Sequence, residues 1–312
     1  MMWWYILPAI FLGWGLGAND SANVFGPPVA NGMIPYRKAT IVASIFVVLG
    51  AITGGAAGLK TIGSLSSSNL MESTLSVLGG AISVAIMTYL GLPVSTSQAV
   101  VGGIIGIGLL TGKVNWMVLV KIVICWVATP IGALAIGFIL YKVLAPLFSK
   151  IKSITLQNRI LIITAWIAGA YGAYSLGANN VANVTGAFVG VLLDVNTAAL
   201  IGGLAIAFGI LTYSKKVMLT VGKRIIELDY FSSLISILAE ALTVWIFAIV
   251  GVPVSTSQAV VGGVLGAGLA RGTNLANKKM LIRIFLGWVQ TPTISGVVSI
   301  ILYLIFNKIK GV

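Results

Sequence analysis

Residues 91–106 read GLPVSTSQAVVGGIIG, and residues 251–266 read GVPVSTSQAVVGGVLG. Thirteen of these sixteen positions are identical at an offset of 160 residues. The same offset relates Gly-Ala-Asn-Asp at 17–20 to Gly-Ala-Asn-Asn at 177–180, so the chain is an internal duplication. Both copies keep polar sequences interrupted by Gly and Pro inside apolar segments. In a membrane this combination indicates a substrate site shared by two repeats.

The composition is that of an integral membrane protein. Hydrophobic residues make up 58% of the chain and charged residues 8%, whereas a soluble domain carries about 25% charged residues. The net charge of +13 does not indicate a nucleic-acid partner, because the basic residues fall in short loops between apolar segments. The absence of histidine and the single cysteine, Cys125, disfavour an enzyme or a metal cluster.

The pattern predicts an all-α membrane protein, an inverted-repeat helical bundle with broken helices and two re-entrant hairpins. The expected divisions are a first repeat at 1–148, a cytoplasmic linker at 149–159 and a second repeat at 160–312. Breaks are predicted at 17–23 and 177–183, where Gly and Asn interrupt apolar segments. Hairpins are predicted around 93–97 and 253–257, because the segment 98–110 reaches only roughly 20 Å of the about 30 Å of hydrocarbon.

The distribution of Lys and Arg predicts the orientation in the membrane. With both termini outside, the inside loops hold twelve basic residues and the outside loops hold four. Equivalent loops of the two halves then fall on opposite faces, so the repeats are inverted. The two hairpins are expected to enter from opposite sides and to meet near the midplane.

The hairpin sequence is typical of an anion site. Ser95 and Ser255 are each followed three residues later by glutamine, at Gln98 and Gln258, which is the pattern of a capping box at a helix N-terminus. Such a terminus offers unpaired N–H groups and partial positive charge. Two converging termini with Ser and Thr hydroxyls could hold a tetrahedral oxyanion without Lys or Arg. The alternative is that these side chains only satisfy the backbone of a buried turn.

The repeated Gly-Ala-Asn sequence is the candidate cation site. The amide oxygen of asparagine is a neutral ligand for a hard cation, and glycine permits a break in the helix. Asn23 and Asn183 lie one helical turn beyond Asn19 and Asn179 and share a face with them. Two pseudo-equivalent cation sites are therefore expected, although the asparagines could also cap half-helices.

Two of the six acidic residues fall at membrane depth, where a carboxylate indicates function. Asp20 could bind a cation or accept a hydrogen bond from a protonated anion. Glu240 could carry a cation or a proton, or could make a structural hydrogen bond. Both break the symmetry, since positions 180 and 80 are Asn and Gly. The other four lie at segment ends and are expected to be solvated: Glu72, Asp194, Glu227 and Asp229.

These paired motifs closely resemble those of the inorganic phosphate transporter (PiT) family, which includes sodium-dependent phosphate transporters. The resemblance implies cation-coupled uptake of inorganic phosphate, with phosphate between the hairpins and sodium beside the broken helices. The implied phosphate-binding residues are Asp20, Asn23, Ser95, Thr96, Ser97, Gln98, Asn183, Ser255, Thr256, Ser257 and Gln258. The implied sodium ligands are Asn19, Asp20, Asn23, Asn179, Asn180 and Asn183, to which Glu240 is added as a membrane-depth carboxylate.

The sequence thus predicts a sodium-coupled symporter of inorganic phosphate in the cell membrane, working by alternating access. Sodium ions are the coupling ions, and no other cofactor is expected. Proton coupling, sulfate as the substrate and a passive anion channel stay open as alternatives. The expected partners are phosphate, sodium and the lipid bilayer, with a homodimer as the candidate assembly. The chain lacks the long loop between the halves that larger family members carry.

Overall fold

The computed structural model describes residues 3–89, 94–224, 229–272 and 278–310. Regular structure in these residues is helical, with no strand among the described elements. Two short 3-10 turns, Trp3–Ile6 and Gly186–Phe188, accompany the α-helices. The α-helices are α1 (Leu7–Ala30), α2 (Tyr36–Gly54), α3 (Ala56–Gly63), α4 (Leu70–Tyr89), α5 (Thr96–Thr111), α6 (Trp116–Ser149), α7 (Ile154–Thr185), α8 (Val195–Arg224), α9 (Tyr230–Val250), α10 (Thr256–Arg271) and α11 (Lys278–Lys310).

Seven segments of the described residues are long and apolar enough to cross a membrane. They are Tyr36–Gly54, Leu70–Met87, Trp116–Ser149, Ile154–Phe188, Val195–Lys215, Tyr230–Val250 and Leu286–Lys310. Helices α5 and α10 have 16 residues each, so each reaches about 24 Å and is shorter than the hydrocarbon layer. The predicted multi-pass helical membrane protein is confirmed.

The two halves of the chain exchange their packing partners. A Cβ atom at Gly17 of α1 would lie 1.9 Å from the carbonyl oxygen of Ile206 in α8. At the equivalent position in the second half, a Cβ atom at Gly177 of α7 would lie 2.0 Å from the carbonyl oxygen of Val47 in α2. The first helix of each repeat therefore packs at backbone contact against the second helix of the other repeat.

The hairpins are exchanged in the same way. A Cβ atom at Gly102 of α5 would lie 2.2 Å from the carbonyl oxygen of Pro292 in α11. A Cβ atom at Gly262 of α10 would lie 2.4 Å from the carbonyl oxygen of Pro130 in α6. Close approach at small residues is the usual way for membrane helices to pack. The repeats consequently form one interlocked bundle.

The predicted breaks in the first helix of each repeat are wrong. Helix α1 continues through 17–23, and α7 continues through 177–183. Gly17 and Gly177 serve close packing against carbonyl oxygens of a neighbouring helix, and tertiary packing outweighs the weak helix propensity of Gly and Asn. Because the backbone hydrogen bonds of these helices continue, the asparagines act through their side chains and no unwound carbonyl groups accompany them.

The connection between the halves is short. Helix α6 ends at Ser149 and α7 begins at Ile154, so most of the segment 149–159 is helical. Ser153 caps α7 by accepting the backbone N–H of Leu156 at 3.3 Å. The two repeats are therefore joined by a tight turn between two long helices.

Each hairpin is closed at its base by an ion pair. Glu72, in the first turn of α4, contacts Lys113 beyond the end of α5 at 2.9 Å. Asp229, the N-cap of α9, contacts Arg271 at the end of α10 at 2.6 Å. The expectation that Glu72 is solvated is wrong, because its side chain is only 3% exposed and also accepts the N–H of Asn69. Glu227 lies outside the described residues.

Candidate functional site

The first turns of α5 and α10 form the polar centre of the protein. We call residues 94–98 the first tip and residues 251–258 the second tip. Ser95 accepts the backbone N–H of Gln98 at 3.4 Å, and Ser255 accepts that of Gln258 at 3.3 Å. Both serines are N-caps, as predicted, and each leaves the remaining N–H groups of its helix start pointing toward the centre.

The two tips touch each other. The hydroxyl of Ser97 donates to the carbonyl oxygen of Val254 at 2.8 Å, and both residues are buried. The prediction that the hairpins meet in the interior is therefore confirmed. One polar chamber, with both helix N-termini at its wall, serves the whole protein.

Asparagines from the first helix of each repeat hold the tip of the other repeat. The Nδ2 group of Asn183 donates to the Ser97 hydroxyl at 2.9 Å. The Nδ2 group of Asn23 donates to the Ser257 hydroxyl at 3.2 Å and to the Thr256 hydroxyl at 3.1 Å. These contacts obey the internal offset of 160 residues, so the chemistry of the centre is two-fold in its main features.

Asn179 and Asn19 occupy equivalent positions but behave differently. The side chain of Asn179 donates to the Val252 carbonyl at 2.9 Å and accepts the Val254 N–H at 2.8 Å, which fixes the turn of the second hairpin. Asn19 is only partly buried and lines a cavity of about 120 Å³ between α1, α4 and α8. Asn179 therefore has a structural role, whichever ligand its amide oxygen also contacts.

The acidic residues lie on one side of the centre. Asp20 is 5% exposed and accepts a hydrogen bond from the Thr256 hydroxyl. Glu240 of α9 is fully buried, and the charge of Asp20 reaches it. At the position equivalent to Asp20, the Asn180 amide oxygen accepts from Asn183 at 2.8 Å and from Ser97 at 3.4 Å. The two halves of the centre thus differ in charge.

Several buried polar atoms of the described residues have no protein partner. They are Oε1 of Gln98, Oε1 of Gln258, Nδ2 of Asn180, Oδ1 of Asn183 and both carboxylate oxygens of Glu240. The second half of each predicted capping box is therefore wrong, because the glutamine oxygens do not return to the N-cap N–H. Unpartnered amide and carboxylate oxygens suit a hard cation, and the unpartnered amide N–H₂ suits an anion.

Most side chains predicted from the sequence converge. The predicted residues found buried around the two tips are Asp20, Asn23, Ser95, Thr96, Ser97, Gln98, Asn179, Asn180, Asn183, Ser255, Thr256, Gln258 and Glu240. Ser257 is half-buried beside them, and Asn19 lies at the neighbouring cavity. The backbone groups of Val252 and Val254 were missed, because apolar residues at a turn carry no sequence signal for their main-chain contacts.

A buried polar chamber between two interlocked repeats of a multi-pass membrane protein defines a transporter. The sequence profile of the phosphate transporter family matches residues 16–166 and, separately, residues 149–299. The chain therefore belongs to the phosphate transporter family, and its two matches coincide with the internal duplication. The members of this family are transporters and permeases, which excludes an enzyme.

Relatives match over nearly their whole length. The provisionally named phosphate permease MJ0630 of Methanocaldococcus jannaschii is 33% identical over 288 residues, covering 92% of each chain. The sulfate permease CysP of Bacillus subtilis is 30% identical over 313 residues, covering 97% of this chain and 87% of CysP. A solved structure described as the sodium-dependent phosphate transporter superimposes with a TM-score of 0.88 at 23% identity, covering 99% of both chains. The latter similarity establishes the fold.

Proposed function

We propose that this protein is a secondary active transporter that carries inorganic phosphate into the cell together with sodium, by alternating access. The observation that carries the proposal is the meeting of the two tips. Ser97 of the first tip contacts Val254 of the second, and the starts of α5 and α10 face one chamber. Two gates at a single central site are what alternating access requires. Both termini are proposed to lie outside, in keeping with the basic inside loops.

The proposed phosphate site consists of the helix starts and the side chains around them. Backbone N–H groups at two N-termini, together with Ser and Thr hydroxyls, would bind the oxygens of a tetrahedral anion. The unpartnered Nδ2 group of Asn180 adds a donor that no protein atom uses. The proposed ligands are those expected from the sequence: Asp20, Asn23, Ser95, Thr96, Ser97, Gln98, Asn183, Ser255, Thr256, Ser257 and Gln258.

Asp20 favours phosphate over sulfate. Near neutral pH phosphate still carries a proton, which it can donate to a carboxylate, whereas sulfate carries none and would be repelled. Asn180 stands at the equivalent position of the second repeat, so only one such carboxylate faces the chamber from these helices. Sulfate is the second candidate substrate, because CysP, at 30% identity, is named a sulfate permease.

Sodium is the proposed coupling ion. The unpartnered oxygens of Gln98, Gln258 and Asn183 are neutral ligands of the kind that suits sodium. The proposed sodium ligands of the two pseudo-equivalent sites are Asn19, Asp20, Asn23, Asn179, Asn180 and Asn183. A divalent phosphate moved against 100 mV meets about 4.6 kcal/mol, and two sodium ions would cancel that charge.

Uptake into proteoliposomes tests the proposal. Labelled phosphate is expected to accumulate above equilibrium when an inward sodium gradient is imposed, with unlabelled sulfate competing weakly. Accumulation driven only by a proton gradient would replace sodium by protons. Stronger competition by sulfate than by phosphate would make the protein a sulfate transporter, and equilibration without accumulation would make it a channel.

A further inference from the structure

Glu240 is a charged side chain that the surrounding protein leaves without a partner. It lies in the middle of α9, is 0% exposed, and neither carboxylate oxygen has a hydrogen-bond partner among the described residues. The structural hydrogen bond considered for it from the sequence is therefore not made. A buried carboxylate without a partner is strongly unfavourable, so a ligand for it is expected.

The walls around this carboxylate are apolar and come from three helices. A Cβ atom at Gly172 of α7 would lie 3.5 Å from Oε2 of Glu240, 3.0 Å from a methyl group of Val24 in α1 and 3.6 Å from Ala241 of α9. The carboxylate thus faces the junction of α1, α7 and α9. A side chain larger than glycine at position 172 would press on this junction, so the helix backbone of α7 stays close to the carboxylate.

A second buried carboxylate lies close enough to add its charge. Asp20 of α1 interacts electrostatically with Glu240, and its own hydrogen bond comes from Thr256 of the second tip. The basic side chains on the neighbouring segments are occupied elsewhere. Lys121 donates to the Val250 carbonyl, while Lys113 and Arg271 pair with acids at the bases of the hairpins. Two negative charges accordingly lack a protein counter-ion in this part of the chain.

The internal symmetry sets this pair apart from the two asparagine-based sites. The positions equivalent to Asp20 and Glu240 are Asn180 and Gly80, which are both neutral. Sites related by the repeat would occur twice, whereas the carboxylate pair occurs once. We propose that Glu240, with Asp20 beside it, binds a further sodium ion that has no counterpart in the other repeat. This inference rests on the proposed sodium-coupled function.

A metal cation fits this position better than a proton. A proton on Glu240 would occupy one oxygen and create a hydroxyl group that itself needs an acceptor, and the described residues provide no hydrogen bond there. Sodium can engage both carboxylate oxygens at once. Since Asp20 also accepts from Thr256, an ion at this place would link α1 and α9 to the second tip. One extra positive charge per phosphate would make uptake electrogenic.

The test counts ions in proteoliposomes. The ratio of labelled sodium to labelled phosphate taken up, and the membrane potential that stops uptake, are measured for the wild type and for Glu240→Gln. The variant is expected to carry one sodium ion fewer per phosphate and still to require sodium. Glu72→Gln, which alters a buried acid at the base of the first hairpin, is expected to keep the wild-type ratio. An unchanged ratio in Glu240→Gln overturns the inference. So does an unchanged ratio accompanied by loss of a proton flux.

A binding measurement keeps the inference testable if Glu240→Gln does not fold. In detergent and without phosphate, sodium is expected to raise the melting temperature of the wild type, because it binds only the folded protein. Glu240→Asp keeps the charge on a shorter side chain, so it is expected to need more sodium for the same rise. An identical sodium titration overturns the inference. A wild type that accumulates phosphate without sodium would instead overturn the proposed function.

Discussion

Asn183 and Ser97 belong to different repeats and are joined by a hydrogen bond of 2.9 Å at the buried centre of the protein. Asn23 and Ser257 repeat this contact at 3.2 Å, at positions 160 residues away. Each tip is therefore held by the first helix of the opposite repeat. Because the contact pairs one helix with the moving end of another, it is suited to report whether a tip is docked or released.

Asn183→Ala is expected to weaken this contact. The change leaves the Ser97 hydroxyl and the Asn180 amide oxygen without their donor, which costs about 1–3 kcal/mol for groups that remain buried. Both the melting temperature and the affinity for phosphate should fall, as measured by thermal unfolding and by isothermal calorimetry. Asn23→Ala is the matched variant on the other repeat and should act in the same direction. Wild-type affinity in both would exclude the asparagines from the binding site.

Asp20→Asn is expected to leave the protein folded and to reduce sodium-driven phosphate uptake strongly. The amide keeps the shape of the side chain but removes the charge that attracts a cation and the acceptor for a protonated anion. Loss of a hydrogen bond to a charged group costs about 1.5–3 kcal/mol, or roughly 10- to 100-fold in affinity.

The same Asp20→Asn variant should discriminate less between phosphate and sulfate. Competition of labelled phosphate uptake by sulfate measures this directly. If the sodium dependence and the sulfate competition both match the wild type, Asp20 has no part in coupling or selectivity.

The sequence predicted the centre better than it predicted the helices that carry it. The N-caps at Ser95 and Ser255 follow from local sequence, because a capping side chain bonds to an N–H only three residues away. The continuity of α1 through Gly17 could not be read locally. The role of that glycine is set by the carbonyl of Ile206, which is distant in the chain. The burial of Glu72 depends in the same way on Lys113.

Gly17→Ala and Gly177→Ala are expected to be destabilising. The added methyl groups would lie 1.9 Å and 2.0 Å from backbone oxygens of a neighbouring helix, and overpacking of this kind costs about 1–3 kcal/mol. Gly15→Ala is the matched control in α1, since no atom lies within 4 Å of its Cβ position. The control should hold or raise the melting temperature, because alanine is the better helix former.

Equal melting temperatures for Gly17→Ala and Gly15→Ala would show that α1 and α8 are not in backbone contact. The measurement is thermal unfolding in detergent, followed by size-exclusion chromatography to separate folded from aggregated protein. A break in α1 at Gly17 would also predict tolerance, because a methyl group could be accommodated in an irregular segment. The comparison therefore tests the correction of the predicted helix breaks as well.

Asp194→Ala is expected to lower the melting temperature at neutral pH and to have a smaller effect in acid. The Thr197 hydroxyl donates to the exposed Asp194 carboxylate at 2.6 Å, and backbone N–H groups at the start of α8 add further bonds, so its pKa lies below the ordinary value. A lowered pKa stabilises the folded state above the unfolded pKa, and the stabilisation is lost as the pH falls through the folded pKa. Melting curves of the two proteins should therefore converge below about pH 4. Asp194→Asn keeps a neutral cap, so its own difference from alanine should not vary with pH. A gap between wild type and Asp194→Ala that stays constant from neutral to acid pH would mean that the charge at this helix start contributes nothing.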